Sequence, residues 1–195
     1  RRNYAGPRLV TESPDMEEHG DPEIMERYDA AGLIELREID TNADATTDTW
    51  VRFSDGIRTR QDEDRDFDGR IDAEYDFRGD ELLEAREDST GDGKLDSRAE
   101  YRDGKPFRKT LDRNGDGSVD STELVEGDVP IRQELDEDFD GRVDQWNYFV
   151  GGKLEKQELD TAGDGTADLF LTLDLETGEQ QRALEDTNAD GEVDS

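Results

Sequence analysis

One nine-residue stretch, DRNGDGSVD from Asp112 to Asp120, has the residue types and the spacing to hold a positive ion. Oxygen-bearing side chains stand at its positions 1, 3 and 5, glycine at 6 and a further aspartate at 9. Side chains at 1, 3 and 5 converge if the chain curls around a point, and glycine at 6 permits a bend that a residue with a Cβ takes reluctantly. Like charges so close repel unless something positive lies between them. The stretch occurs seven times, starting at Asp40, Asp64, Asp88, Asp112, Asp136, Asp160 and Asp186, spaced by 24 residues five times and then by 26. Position 5 is always aspartate (Asp44, Asp68, Asp92, Asp116, Asp140, Asp164, Asp190), and so is position 9 (Asp48, Asp72, Asp96, Asp120, Asp144, Asp168, Asp194). Position 3 varies through Asn42, Asp66, Thr90, Asn114, Asp138, Ala162 and Asn188.

The chain has no cysteine and a single histidine, His19. Its ligand set is therefore oxygen, which selects hard cations such as calcium or magnesium over zinc, copper or iron. The residue at position 7 would add its backbone carbonyl: Thr46, Arg70, Lys94, Ser118, Arg142, Thr166 and Glu192. With waters or a bidentate carboxylate completing each shell, the expectation is several bound calcium ions, up to seven. Three copies lack one feature each: Ala45 replaces the glycine of the first, Thr90 offers only a hydroxyl in the third, and Ala162 offers no ligand in the sixth. A lone D-x-D-G stretch in an acidic chain reads as an Asx-rich solvated turn. Seven in register favour the metal.

The segments between the loops must position them. In the fifth copy Val143–Phe149 alternates and is rich in aromatic and β-branched types, Val150-Gly151-Gly152-Lys153 supplies a turn, and a second alternating run follows from Leu154. The other copies repeat this plan, with turn glycines at Gly56, Gly79, Gly104 and Gly127, and with Pro106 and Pro130 at strand starts. Apolar residues at position 8 (Ile71, Leu95, Val119, Val143, Val193) and position 14 (Phe53, Phe77, Tyr101, Val125, Phe149, Leu173) share parity and are expected on one sheet face. Trp50, Trp146 and Phe170, at position 11, have the opposite parity; they either pack between hairpins or form a surface for a carbohydrate or partner. The fold class expected is all-β: an elongated tandem repeat of antiparallel hairpins, a meander or solenoid, joined by calcium-binding loops, with a closed propeller-like repeat as the alternative. Residues 1–22 are expected to be extended or disordered, 23–39 to form a capping hairpin without a loop before it, and 40–195 to carry the seven repeats.

The loops resemble known calcium motifs. D-x-[DN]-x-D-G is similar to the first half of an EF-hand loop, and the nine-residue form ending in aspartate resembles the loops of thrombospondin type 3 repeats and related bacterial surface repeats. The flanks depart from the EF-hand, since position 12 reads Val51, Tyr75, Ala99, Glu123, Asn147 and Leu171, with one glutamate among them. Thrombospondin type 3 repeats carry cysteines that this chain lacks, and the 24-residue hairpin plan is similar to MORN-like repeats. The resemblance implies calcium as the ligand and leaves the biological role open.

Composition narrows that role. The formal net charge of −32 over 195 residues repels nucleic acid and anionic lipid, so cations are the natural partners. With 30 % hydrophobic and 41 % charged residues the composition alone leans toward disorder, which the strict period opposes. The longest apolar runs are four to five residues, far short of a membrane span. The start at Arg1-Arg2, without methionine or a signal segment, reads as a processed or excised portion, and the strand expected after Asp194 is missing. Arg60, Arg70, Arg86 and Arg142 are expected to screen neighbouring carboxylates, and His19 to be solvated. Paired acids could serve a glycosidase, but each pair belongs to a repeated loop, so the chain is expected not to be an enzyme. The function expected is a structural or adhesive calcium-binding module of the cell surface, extracellular space or periplasm, with copies of itself or other surface proteins as possible partners. The alternative is a subunit of a calcium-stabilised fibre or surface layer assembled by strand pairing. A sensor would need an apolar groove that the only methionines, Met16 and Met25, do not suggest.

Overall fold

Tight two-residue turns fold the chain into hairpins. In Asp55-Gly56, Asp103-Gly104, Gly127-Asp128 and Gly151-Gly152 both residues have positive φ, the turn geometry whose twist matches that of paired strands. The computed structural model of the chain describes residues 10–12, 23–188 and 193–194. Its strands are β1 (Val10–Glu12), β2 (Ile24–Tyr28), β3 (Ile34–Ile39), β4 (Thr49–Ser54), β5 (Ile57–Glu63), β6 (Ala73–Arg78), β7 (Glu81–Glu87), β8 (Ser97–Arg102), β9 (Lys105–Leu111), β10 (Ser121–Glu126), β11 (Val129–Leu135), β12 (Gln145–Val150), β13 (Lys153–Leu159), β14 (Leu169–Leu173) and β15 (Gln180–Glu185). Among the described residues there is no helix.

The chain divides into two units, one ending at Leu95 and one beginning at Asp96. In the first, β1 to β7 pair in sequence order, each antiparallel to the next. In the second, β8 to β15 do the same. Each sheet is an open meander, and among the described residues neither unit brings its last strand back to its first. The closed propeller-like alternative is thereby corrected. Within a unit the ladder runs on through the acidic loops instead of breaking into blades. The N–H of the first aspartate of a loop donates to the carbonyl of the ninth residue of the loop before, as in Asp64 to Asp48 and Asp136 to Asp120, both 2.8 Å. The hairpin β2–β3, expected to cap the sheet, carries β1 on its outer side, with Val10 opposite Arg27 and Glu12 opposite Met25. His19 lies outside the described residues.

Every hairpin carries a register shift at the same place, as between Arg52 and Phe53, Leu124 and Val125, and Tyr148 and Phe149. Such bulges raise the local twist. The strand after each loop begins at position 10, so the apolar face consists of positions 10, 12 and 14. Position 8 stands outside the strand, and Val119 there is exposed. Few apolar side chains are fully buried: Val51, Ala73, Ala85 and Val125. Amides share that face, where Asn147 donates to Gln133 Oε1 at 3.0 Å and accepts from Gln157 and Gln145 at 3.0 and 3.1 Å.

The opposite face is a lattice of ion pairs within and across strands. Arg60 pairs with Asp62, Glu74 and Asp76, and Arg86 with Glu74, Asp76 and Glu84. Trp50 lies here, in register with Glu38 and Asp62; Trp146 stands opposite Glu134 and Glu158, and Phe170 opposite Glu158 and Leu184. All three residues are half-buried.

Turns occupy one edge of each sheet and acidic loops the other. On the turn edge the residue that starts a hairpin's second strand leans on the next turn. Gly152, at φ +79°, would place an added Cβ 3.4 Å from Val129 Cγ1. Gly152→Ala should therefore cost about 1–2 kcal/mol, the usual penalty for an L residue held at left-handed φ. A urea midpoint unchanged at equal slope would refute this.

Candidate metal centres

Each loop folds by turning its backbone N–H groups onto its own carboxylates. The position-1 aspartate accepts from positions 5 and 6 in loop 2, where Asp68 N donates to Asp64 Oδ1 at 3.2 Å and Gly69 N to Oδ2 at 2.9 Å. Loop 5 repeats this with Asp140 and Gly141 on Asp136 at 3.2 and 2.8 Å, and loop 1 with Asp44 and Ala45 on Asp40 at 3.2 and 2.8 Å. The position-5 carboxylate accepts the N–H of position 7: Thr46 on Asp44, Arg70 on Asp68, Lys94 on Asp92, Ser118 on Asp116, Arg142 on Asp140 and Thr166 on Asp164, all between 2.7 and 2.9 Å. The position-9 carboxylate closes the loop from behind. Asp72 accepts from Arg65 and Asp66, Asp120 from Arg113 and Asn114, and Asp144 from Glu137 and Asp138.

This curl brings acids together. Asp64, Asp66 and Asp72 each place one oxygen within 4.8 Å of the others, and Asp136, Asp138 and Asp144 do the same in loop 5. These two groups could hold a metal ion. A carboxylate oxygen that accepts one N–H keeps a second lone pair for a cation, so the cradle and a bound ion are compatible. The position-5 aspartates stand outside both groups.

The remaining loops share the backbone and differ in donors. Loops 1 and 4 carry Asn42 and Asn114 at position 3, whose amide oxygens accept from Asp44 and Asp116 at 3.0 and 2.8 Å. In loop 4 Asp112 accepts from Gly115 and Gly117 at 2.7 and 2.8 Å. In loop 1 both Asp48 oxygens accept the Thr41 N–H at 3.0 Å. Loop 6 has Ala162 at position 3, and Asp168 there accepts from Thr161 and Ala162. In loop 3 Thr90 N–H turns back to Asp88 at 3.1 Å, while Asp96 begins the second unit, where its carbonyl accepts from Asp112 at 2.9 Å. Of loop 7, Asp186 is buried and Thr187 N donates to Asp194 at 2.9 Å. Asn188 Nδ2 reaches Asp194 at 3.4 Å, and Asp190 and Glu192 lie outside the described residues.

Burial would raise the Asp88 carboxyl, but N–H donors from Gly93, Gly91, Thr90 and Asp92 together hold it below the ordinary value. Asp160 is lowered in the same way, by Gly165, Gly163, Asp164 and Ala162 against burial. The side-chain amide of Asn42 and the N–H of Thr46 lower Asp44. In each case the cradle favours the ionised form.

Two features were not read from the sequence. Position 4 takes a left-handed conformation in the six loops described there: Ala43, Phe67, Gly91, Gly115, Phe139 and Gly163 have φ between 62° and 78°. The glycines at position 4 of loops 3, 4 and 6 were its signal. Loops 2 and 5 instead place exposed phenylalanines there. The second is the reach of the position-7 arginines. Arg70 lies where a Cβ on Gly93 would come within 2.8 Å of its Nη1, and Arg142 Nη1 donates to Gly163 O at 3.1 Å, so each leans on the loop that follows.

No family model matches the chain, and no curated protein matches it. Among solved structures it is similar to the crystal structure of the S. aureus TarM G117R mutant in complex with Fondaparinux, alpha-GlcNAc-glycerol and UDP. The TM-score is 0.38 and the identity 13 %, over 65 % of this chain and 21 % of that one. It is also similar to the crystal structure of TarM, at TM-score 0.35 and 14 % identity, over 62 % of this chain and 20 % of that one. The chain thus spans about a fifth of the length of the TarM chains it matches. Beside these likenesses the expectation that this chain is not an enzyme is withdrawn. Repetition of acids excludes no activity, because a repeat scaffold can form part of an enzyme. At these TM-scores the likeness carries no argument for any particular activity.

Beside loop 2 lies a half-buried phenol. Burial, followed by the nearby Glu63 carboxylate, pushes the Tyr75 hydroxyl up to about 12, although Arg65 pulls the other way. The Tyr75 hydroxyl donates to Glu87 at 3.2 Å and accepts from Arg65. A value raised in the folded state favours the neutral phenol, so its contribution to stability is whole below pH 10.0 and is lost as pH rises through about 12. Alkaline titration by near-ultraviolet absorbance should show a step near 12 that Tyr75→Phe removes. Ionisation of every tyrosine at the ordinary value would refute it.

Proposed function

We propose that the chain is a calcium-binding structural or adhesive repeat module that works outside the cell or at its surface and is rigidified by several calcium ions. The observation that carries this reading is the convergence of three carboxylates in loop 2 and again in loop 5, in a ligand set made only of oxygen. Three acids within 4.8 Å of one another repel, and a divalent cation removes that cost. The remaining loops share the backbone and offer fewer carboxylates, so they would fill later. Calcium outside the cell is abundant enough for modules that bind it at roughly 10⁻⁴–10⁻³ M. The thin apolar core supports the same reading, because sheets with four buried apolar side chains among the described residues gain much from ions that bind only the folded state.

A second reading, a subunit of a calcium-stabilised fibre or surface layer, is favoured by the open edges. Among the described residues β1 pairs only with β2, and the outer side of β15 meets only a single bridge, Glu185 to Asp194. Such edges invite strand addition.

Thermal unfolding with excess calcium and with chelator tests the first reading. At calcium roughly a hundredfold above Kd each occupied site adds about 2.7 kcal/mol, so the melting temperature should rise by many degrees and the far-ultraviolet β signal should sharpen. Superimposable melts would sink the proposal. Light scattering in calcium decides the second reading, which predicts growth in mass with concentration.

A further inference from the structure

The aspartates that end one loop and begin the next form pairs of their own. Just beyond the pair Ser121 and Leu135, Asp120 of loop 4 and Asp136 of loop 5 lie side by side, joined by the Asp136 N–H to Asp120 carbonyl bond at 2.8 Å. Their exposures are 1 % and 3 %. Glu134, two residues before Asp136, shares their face. Like charges directly opposite each other destabilise a sheet unless something compensates them.

Three repeats earlier the same arrangement is compensated by the chain itself. At the junction of loops 1 and 2, Asp48, Asp62 and Asp64 are all buried, and Asp62 is paired with both Arg52 and Arg60. Both oxygens of Asp48 accept hydrogen bonds from Thr41. At the junction of loops 4 and 5, Arg132 stands in the place of Arg60 and pairs with Glu134 at 2.7 Å, but Leu124 stands in the place of Arg52. One cation is missing. Asp120 differs from Asp48 as well: Oδ2 accepts from Arg113 and Asn114 at 2.6 and 3.2 Å, while Oδ1 is buried without a hydrogen-bond partner. Asp120, Glu134, Asp136 and Thr122 line a cavity of 40 Å³ at this junction. Arg142 also borders it, with its side-chain Nη1 given to Gly163 O, and Arg113 gives its Nη2 to Glu137 at 3.1 Å.

We propose that this junction cavity is a site for a hard divalent cation such as calcium, held by Asp120 Oδ1 and the carboxylates of Glu134 and Asp136. The Thr122 hydroxyl and water complete the shell. The volume suits one ion with a water, since a single water needs about 10–15 Å³ of such space. Oxygen-only, doubly or triply anionic surroundings select calcium or magnesium. The site shares its chemistry with the reading above, but Glu134 belongs to no nine-residue loop. Asp136 lies both in the loop-5 group and at the junction, so the two ions would share a carboxylate and bind with mutual dependence.

Calorimetric calcium titration of the full chain tests the site with two variants that leave every loop aspartate in place. Glu134→Gln removes a ligand, and Leu124→Arg restores the guanidinium present at the first junction. Both should lose one equivalent of calcium or weaken one site by tenfold or more, with unchanged far-ultraviolet circular dichroism. Trp146 stands directly opposite Glu134, so terbium in the cavity should luminesce on indole excitation. Glu134→Gln should lose that emission, and Trp146→Phe should lose it with calcium stoichiometry intact. If the wild type binds calcium and both variants bind it identically, the junction site is refuted while the loop reading stands. If the wild type binds a single equivalent that Glu134→Gln removes, the loop reading fails and the junction site stands. No binding by the wild type overturns both. Should Glu134→Gln fail to fold, Leu124→Arg decides alone, because it removes no ligand.

Discussion

The structure depends on the way each acidic loop satisfies its own backbone. A tight nine-residue loop turns its N–H groups inward, where unpaired donors would be costly. The first, fifth and ninth aspartates accept them, and the carbonyl of the ninth passes the ladder to the next loop. Replacing those acids with apolar residues would leave the inward N–H groups with nothing to accept them. The same carboxylates that make the loop possible crowd negative charge into it. Local hydrogen bonding and global charge therefore pull in opposite directions, and a bound cation is the one addition that serves both.

The sheets show how little apolar material such a chain needs per unit. Each is a single layer, so neither face can bury large side chains as a packed pair of layers would. The half-buried positions are filled by side chains that are apolar along the stem and polar at the tip. Arg58 lies 3.7 Å from the Phe77 ring centroid, and Arg102 4.4 Å from that of Phe107. Arginine covers an aromatic face with its stem and keeps its charge in water. Cross-strand pairs of this kind, with the amide ladder around Asn147, take the place of a core.

The period and the strand parity were legible because each rests on a rule with no tertiary term: a fixed spacing of aspartates and the alternation of a strand. Glycine pairs between alternating runs announced the hairpins for the same reason. What was not legible depended on neighbours. Position 8 reads as apolar in sequence, yet Val119 is exposed because the strand begins two residues later, and only the pairing register fixes that start. Phe67 and Phe139 conceal their left-handed backbone, since the sequence signal for it is glycine. The burial of Asp62 could not be read at all, because it arises from the strands paired on either side of β5 and from the Arg52 and Arg60 side chains that reach it. The closed alternative was left open for a related reason: closure is a property of the last strand's partner, which no local pattern specifies.

The loops also form a hierarchy that composition hides. Loops 2 and 5 hold three converging carboxylates and an arginine at position 7, and that arginine reaches forward onto loops 3 and 6, where position 3 is threonine or alanine. The loops richest in acid thus lend their positive charge to the loops poorest in ligands. A guanidinium near the backbone of loop 3 or 6 lowers the local benefit of binding a further cation there, and Arg70 does so while keeping an ion pair with Asp68 of its own loop at 3.9 Å. The placement of two arginines thus makes similar repeats unequal: loops 2 and 5 bring three carboxylates together, while loops 3 and 6 lie under the protein's own positive charge.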